Sequence, residues 1–232
     1  MKPVMKARFL REEGGFTLVE MMVTLTIWIA ILFTLYSVFD QSIRVYSVGN
    51  NKVEAAESAR LGLEKMEREI RAAYPVDTTV PANNRFLFFS ANGASPPTAA
   101  VMPTASQITF GNELGAEGAG DGKILCGTPC EYITYKLTNP ASNTPCTASP
   151  CTLRRINAAN SDVALTYPGQ YAVVENVALN GLTFTYLRSD GTPATTEGQI
   201  ATVLVRLRVD VDPNSSFRAT QTLTTEIDLR NR

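Results

Sequence analysis

Gly14-Gly15-Phe16-Thr17-Leu18-Val19-Glu20 opens an apolar run that continues to Phe39, and this stretch decides how the rest of the chain is read. It consists of a polar leader, a small-residue joint and about 24 mostly apolar residues carrying one carboxylate. As a helix such a run reaches about 36 Å, enough to cross a bilayer core. A charge inside an apolar segment is expensive and usually has a specific task, so Glu20 is the residue to explain.

Outward from that joint, residues 1–15 hold Lys2, Lys6, Arg8 and Arg11 against Glu12 and Glu13. An ordinary secretory signal is cut after its apolar core. Here the joint precedes the core, so cleavage leaves the apolar segment in the mature protein. Positive charge on the N-terminal flank keeps that side cytoplasmic and sends the rest of the chain outward. The reading therefore divides the chain into a leader at 1–15, a membrane-spanning half-helix at 16–39, an amphipathic half-helix at 40–74 and a β-rich domain at 75–232.

No proline interrupts the sequence from Phe16 to Tyr74, which permits one helix of about 58 residues. In its second half Ala56, Ala59, Leu63, Met66, Ile70 and Ala73 form one apolar face. Glu64–Arg68 and Glu67–Arg71 are favourably spaced ion pairs. Pro75 closes the helix by disfavouring helical geometry in the residue before it.

Beyond Pro75 the pattern turns β-like. Candidate strands are 85–89, 107–110, 131–137, 151–156, 171–175 and 182–187, with turn-rich stretches at 91–106, 111–122 and 139–150. The clearest hairpin alternates Val203, Val205, Leu207, Val209 and Val211 inward. It turns at 212–216 and returns through Ala219, Gln221, Leu223, Thr225, Ile227 and Leu229. The apolar stripe of the helix is the natural cover for that inward face. The expected class is α+β, a long N-terminal helix on an antiparallel sheet.

Composition narrows the function. The 232 residues include no histidine and carry a formal net charge of -1. Serine–histidine and cysteine–histidine nucleophile schemes are thereby excluded, as are imidazole zinc sites. No clustered acid pair suggests an enzyme, no cofactor or metal is implied, and no basic field suggests nucleic acid as a partner. The four cysteines, Cys126, Cys130, Cys146 and Cys151, read as two disulfides in an oxidising compartment, because their spacing departs from paired CxxC zinc knuckles. Local pairing, Cys126–Cys130 and Cys146–Cys151, is preferred, and the crossed connectivities stay open. Asp121-Gly122 and Asp190-Gly191 read as hairpin turns in preference to calcium loops. Thr24, Thr26 and Thr34 are expected to bond to their own helix carbonyls.

Gly15-Phe16-Thr17-Leu18-Val19-Glu20 resembles the processing signature of type IV prepilins and type II secretion pseudopilins. The elements of the resemblance are a basic leader ending in glycine, phenylalanine next, glutamate at the fifth mature position, and an uninterrupted apolar helix. Residues 60–71, 176–186 and 228–231 are similar, more loosely, to segments of the J-type minor pseudopilins and related minor pilins. Many major pilins carry a proline partway along the membrane helix, and this chain has none there. The resemblance implies a pilin-like fold and a structural subunit that starts or tips a filament, with no catalysis of its own. It also implies a prepilin peptidase and methyltransferase that cuts between Gly15 and Phe16 and methylates the Phe16 amine. Partners would be membrane lipid first, then other minor and major subunits through the helix. The expected location is the inner membrane, with passage into a periplasmic or extracellular filament. Glu20 would pair with the Phe16 ammonium of a neighbouring subunit and set register; a pair within its own chain, one helical turn apart, remains open. The competing reading is a single-pass membrane-anchored binding protein or adhesin that never polymerises.

Overall fold

From Leu18 to Arg71 neither proline nor a helix-stopping cap intervenes, and the chain forms α1, a helix of 54 residues. The computed structural model describes residues 15–73, 76–77, 85–88, 101–112, 131–157, 171–211 and 219–229. The chain divides into two compact units, Met1–Tyr46 and Ser47–Arg232, and α1 contributes to each. The leader before Gly15, Cys126, Cys130, Asp121-Gly122 and the turn at 212–216 lie outside the described residues.

In the first unit every described side chain from Gly15 to Tyr46 is exposed. The most apolar window of α1 has a mean hydropathy of 2.2, and none of it is covered by the protein. Its threonine and serine hydroxyls turn inward on the backbone. Thr24 Oγ1 donates to the Met21 carbonyl, Thr26 Oγ1 to Met22, Thr34 Oγ1 to Ala30, Ser37 Oγ to Thr34 and Ser42 Oγ to Val38. These bonds hide hydroxyls that would otherwise lie unsatisfied in an apolar solvent. An Asp40–Arg44 ion pair at 2.9 Å marks the return of charge to the helix.

In the second unit the stripe that packs inward is Ala55, Ala59, Gly62, Leu63, Met66 and Ile70, with Ala73 just past the helix end. The stripe begins at Ala55; Ala56, expected on this face, is only half-buried, because Ala55 is the residue one turn before Ala59. Gly62 is part of it for a steric reason: a Cβ there would stand 2.2 Å from a methyl carbon of Val174. The ion pairs also differ in part. Glu67–Arg71 forms at 2.6 Å, whereas Glu64 pairs backward with Arg60 at 2.8 Å, not forward with Arg68. All three are helix-surface neighbours of Glu64 or Glu67, and exposed pairs of either sense differ by only a few tenths of a kcal/mol.

The stripe rests on a six-stranded antiparallel sheet in simple sequential order. The strands of this sheet are β3 (Gln107–Gly111), β4 (Tyr132–Thr138), β5 (Cys151–Asn157), β6 (Tyr171–Leu187), β7 (Thr202–Val211) and β8 (Ala219–Asp228). The short strands β1 (Val76–Asp77) and β2 (Arg85–Phe86) pair separately. The core joins Met66 and Ile70 of the helix to Phe110, Tyr135, Leu153, Val177, Phe184, Val205 and Leu207. Residues 171–175 and 182–187, expected as separate strands, belong to one. The register of β6 against β7 slips between Val177 and Leu182, a bulge that bends the strand without ending it. Asn176 and Asn180 accept the left-handed backbone this requires, at φ 55° and 56°. In the β7–β8 hairpin Val203, Val205, Leu207, Val209 and Ile227 are buried as expected. Gln221, Leu223 and Thr225 of the return strand, and Leu229 just past it, are only half-buried, and the side chains of Val211 and Ala219 are not among those described.

Candidate functional site

Three residues precede the helix among those described: Gly15, Phe16 and Thr17. The Thr17 carbonyl accepts the first helical hydrogen bond, from the Met21 N–H at 3.2 Å. Its Oγ1 accepts from the Glu20 N–H, also at 3.2 Å. These two bonds define Thr17 as the N-cap, and Thr17-x-x-Glu20 has the spacing of a capping box. The sequence reading passed over this motif while treating Glu20 as a charge alone. The signal was present in the spacing of threonine and glutamate ahead of an apolar run.

Glu20 therefore sits in the first turn, with its backbone N–H satisfied by Thr17. Its carboxylate has no hydrogen bond or ion pair among the described residues. A helix start leaves four N–H groups without internal partners. Here the cap satisfies that of Glu20, and those of Thr17, Leu18 and Val19 remain directed at the helix end. The arrangement concentrates donors at one end of the helix and a carboxylate one turn along its flank. Phe16 is 77% exposed, and a Cβ added to Gly15 would meet nothing within 4 Å. An enzyme approaching the Gly15–Phe16 peptide encounters no obstruction from the described protein.

The remaining sequence candidates fall elsewhere. Cys146 and Cys151 are joined, closing a five-residue separation where β5 begins. The loop they close reaches β6 through Ser149, whose Oγ accepts the Leu179 N–H at 2.7 Å. Asp190-Gly191 forms a tight turn: Gly191 has φ 80°, its N–H donates to Arg188, and the Asp190 carboxylate accepts from the Thr192 N–H and hydroxyl. Those bonds from Thr192 hold the Asp190 carboxyl below its usual pKa.

One polar cluster had no forerunner in the sequence reading. Glu69, on the margin of the helix stripe, receives Arg155 Nε at 2.8 and 3.0 Å and the Tyr135 hydroxyl at 2.7 Å. Tyr171 lies beside it, with Lys65 Nζ 4.1 Å and the Arg155 guanidinium 5.4 Å from its ring centre. The Arg155 and Glu69 side chains are 6% and 13% exposed. Burial, then the charge and hydrogen bond of Glu69, push the Tyr135 hydroxyl well above its ordinary pKa. This cluster fastens the helix to β4 and β5. Its spacing signal was weak: Glu69 lies three residues after Met66 and four before Ala73, a position on the buried side, and its partners are far away in sequence.

The model of the prokaryotic N-terminal methylation motif matches residues 10–28. No curated protein and no solved structure matches the chain. The motif supports a type IV pilin-like subunit, with processing by a prepilin peptidase, assembly with other pilins and a structural role. Together with the one apolar helix, it fits anchoring in the inner membrane.

Proposed function

We propose that this chain is a minor structural subunit of a type II secretion pseudopilus or a type IV pilus. It is cut after Gly15, methylated on Phe16, and placed where a filament starts or at its tip. The observation that carries this reading is that the methylation motif lies on a helix half with no covered apolar residue. Such a surface is stable in lipid, and on leaving lipid it needs other helices around it.

Glu20 fits the second environment. Cleavage creates an ammonium on Phe16 beside the unsatisfied donors of the helix end. The carboxylate of one subunit and the ammonium of the next neutralise each other, removing the cost of burying either alone. Leader removal thus frees the subunit and creates the positive partner for Glu20 in one step. The proline-free helix favours the minor role over the main repeating subunit. Intact-mass measurement of the membrane-extracted protein tests the reading. Loss of residues 1–15 with gain of one methyl group is the expected result, and a mature protein that retains its leader contradicts it.

A further inference from the structure

We infer that Thr17 is a positioning residue for leader removal, its hydroxyl stopping the helix just after the bond to be cut. The inference rests on the reading of this chain as a processed subunit. In the reaction, water adds across the bond between the Gly15 carbonyl carbon and the Phe16 nitrogen. Gly15 leaves as a carboxylate and Phe16 as an ammonium; the peptidase supplies the catalytic groups.

A peptide inside a helix is a poor substrate, because its carbonyl is bonded along the axis and its carbon is screened by neighbouring side chains. The Gly15–Phe16 peptide escapes this because α1 begins at Leu18. What sets that boundary is Thr17, through the carbonyl bond to Met21 and the hydroxyl bond to Glu20. The scissile peptide is held immediately before the cap, in exposed chain, at a fixed offset from the apolar run. Without the hydroxyl, the helix is free to gain or lose a residue at this end. Each such step moves the peptide about 2 Å along the axis relative to the membrane-embedded helix, the difference between the extended and the helical rise per residue. Either direction takes it out of register with the enzyme that cuts it.

The test uses full-length precursor in membranes with prepilin peptidase, comparing kcat/KM for cleavage among Thr17→Val, Thr17→Ser and Thr17→Asn. Valine keeps the shape and removes the acceptor, whereas serine and asparagine keep a cap. The expected result is cleavage slowed about fivefold in Thr17→Val, the ordinary worth of an N-cap. Thr17→Ser and Thr17→Asn should stay within about twofold of wild type, since both cap well. Wild-type speed in Thr17→Val overturns the inference. A slow Thr17→Asn also overturns it, because the peptidase would then be reading side-chain shape and not helix position. A wild-type precursor left whole by the peptidase overturns the processing reading beneath it, an outcome distinct from the other two.

Discussion

The two halves of α1 handle apolar surface in opposite ways. From Leu18 to Tyr46 the helix exposes apolar residues all round, and its threonine and serine hydroxyls bond to its own backbone. From Ser47 to Arg71 apolar residues are gathered into one stripe, a glycine admits β6 at close range, and a carboxylate is fastened to the sheet. The second half is completed by its own chain. The first is completed only by something else; of its two carboxylates, Asp40 is paired with Arg44, and Glu20 waits for a partner in the same sense. Exposure of apolar surface thus separates a part of the protein built for folding from a part built for assembly.

This contrast breaks most visibly at Glu69. Glu69→Ala removes the carboxylate that buried Arg155 and the Tyr135 hydroxyl both bond, a loss of about 3–5 kcal/mol. Thermal unfolding of the second unit should show a large drop, while leader cleavage is unchanged. A small drop would mean that apolar packing alone holds the helix to the sheet.

The next effect comes from paired glycines on the same helix. Gly62→Ala drives a methyl into Val174 and should cost about 1–3 kcal/mol by overpacking. Pairing it with Val174→Ala should recover part of that loss. Gly49→Ala meets nothing within 4 Å and should stabilise by up to about 1 kcal/mol through helix propensity. Denaturant midpoints for the three variants give the comparison; equal signs for Gly62→Ala and Gly49→Ala would refute the close approach.

The smallest effect is alkaline. Tyr135 is held protonated by burial and by Glu69, so its folded pKa lies well above the ordinary tyrosine value of about 10. Its contribution is complete below about pH 10 and is lost as pH rises toward the folded value. Stability of the second unit should fall above pH 10, and less steeply in Tyr135→Phe, followed by chemical denaturation across pH. An unchanged slope in the variant would show that Tyr135 is not the group responsible.

These sites also show what a sequence reveals. The helix, its sheet partner and the β7–β8 hairpin follow from periodicity, because burial of one face leaves a repeat of fixed length in the chain. The choice of Arg60 over Arg68 by Glu64 leaves no such trace, since the two arrangements are close in energy. The union of residues 171–187 into β6 depends on left-handed asparagines at 176 and 180, which resemble a turn until the flanking register is known. Glu69 and Arg155 meet only through the tertiary fold. At the candidate site, Gly15, Phe16 and Glu20 could be singled out because a processing signature is carried by local sequence, and the methylation motif that spans them matches on that same local stretch. The cap on Thr17 has a local signal of its own, the Thr17-x-x-Glu20 spacing ahead of an apolar run.

The most direct measurement is incorporation of the Glu20→Ala variant into filaments alongside wild type. The account requires normal cleavage after Gly15 and an unchanged unfolding midpoint for the second unit. It also requires loss from the filament, since the neighbouring Phe16 ammonium is left buried without its counter-charge at a cost of about 3 kcal/mol or more. Incorporation of Glu20→Ala at the wild-type level would contradict it.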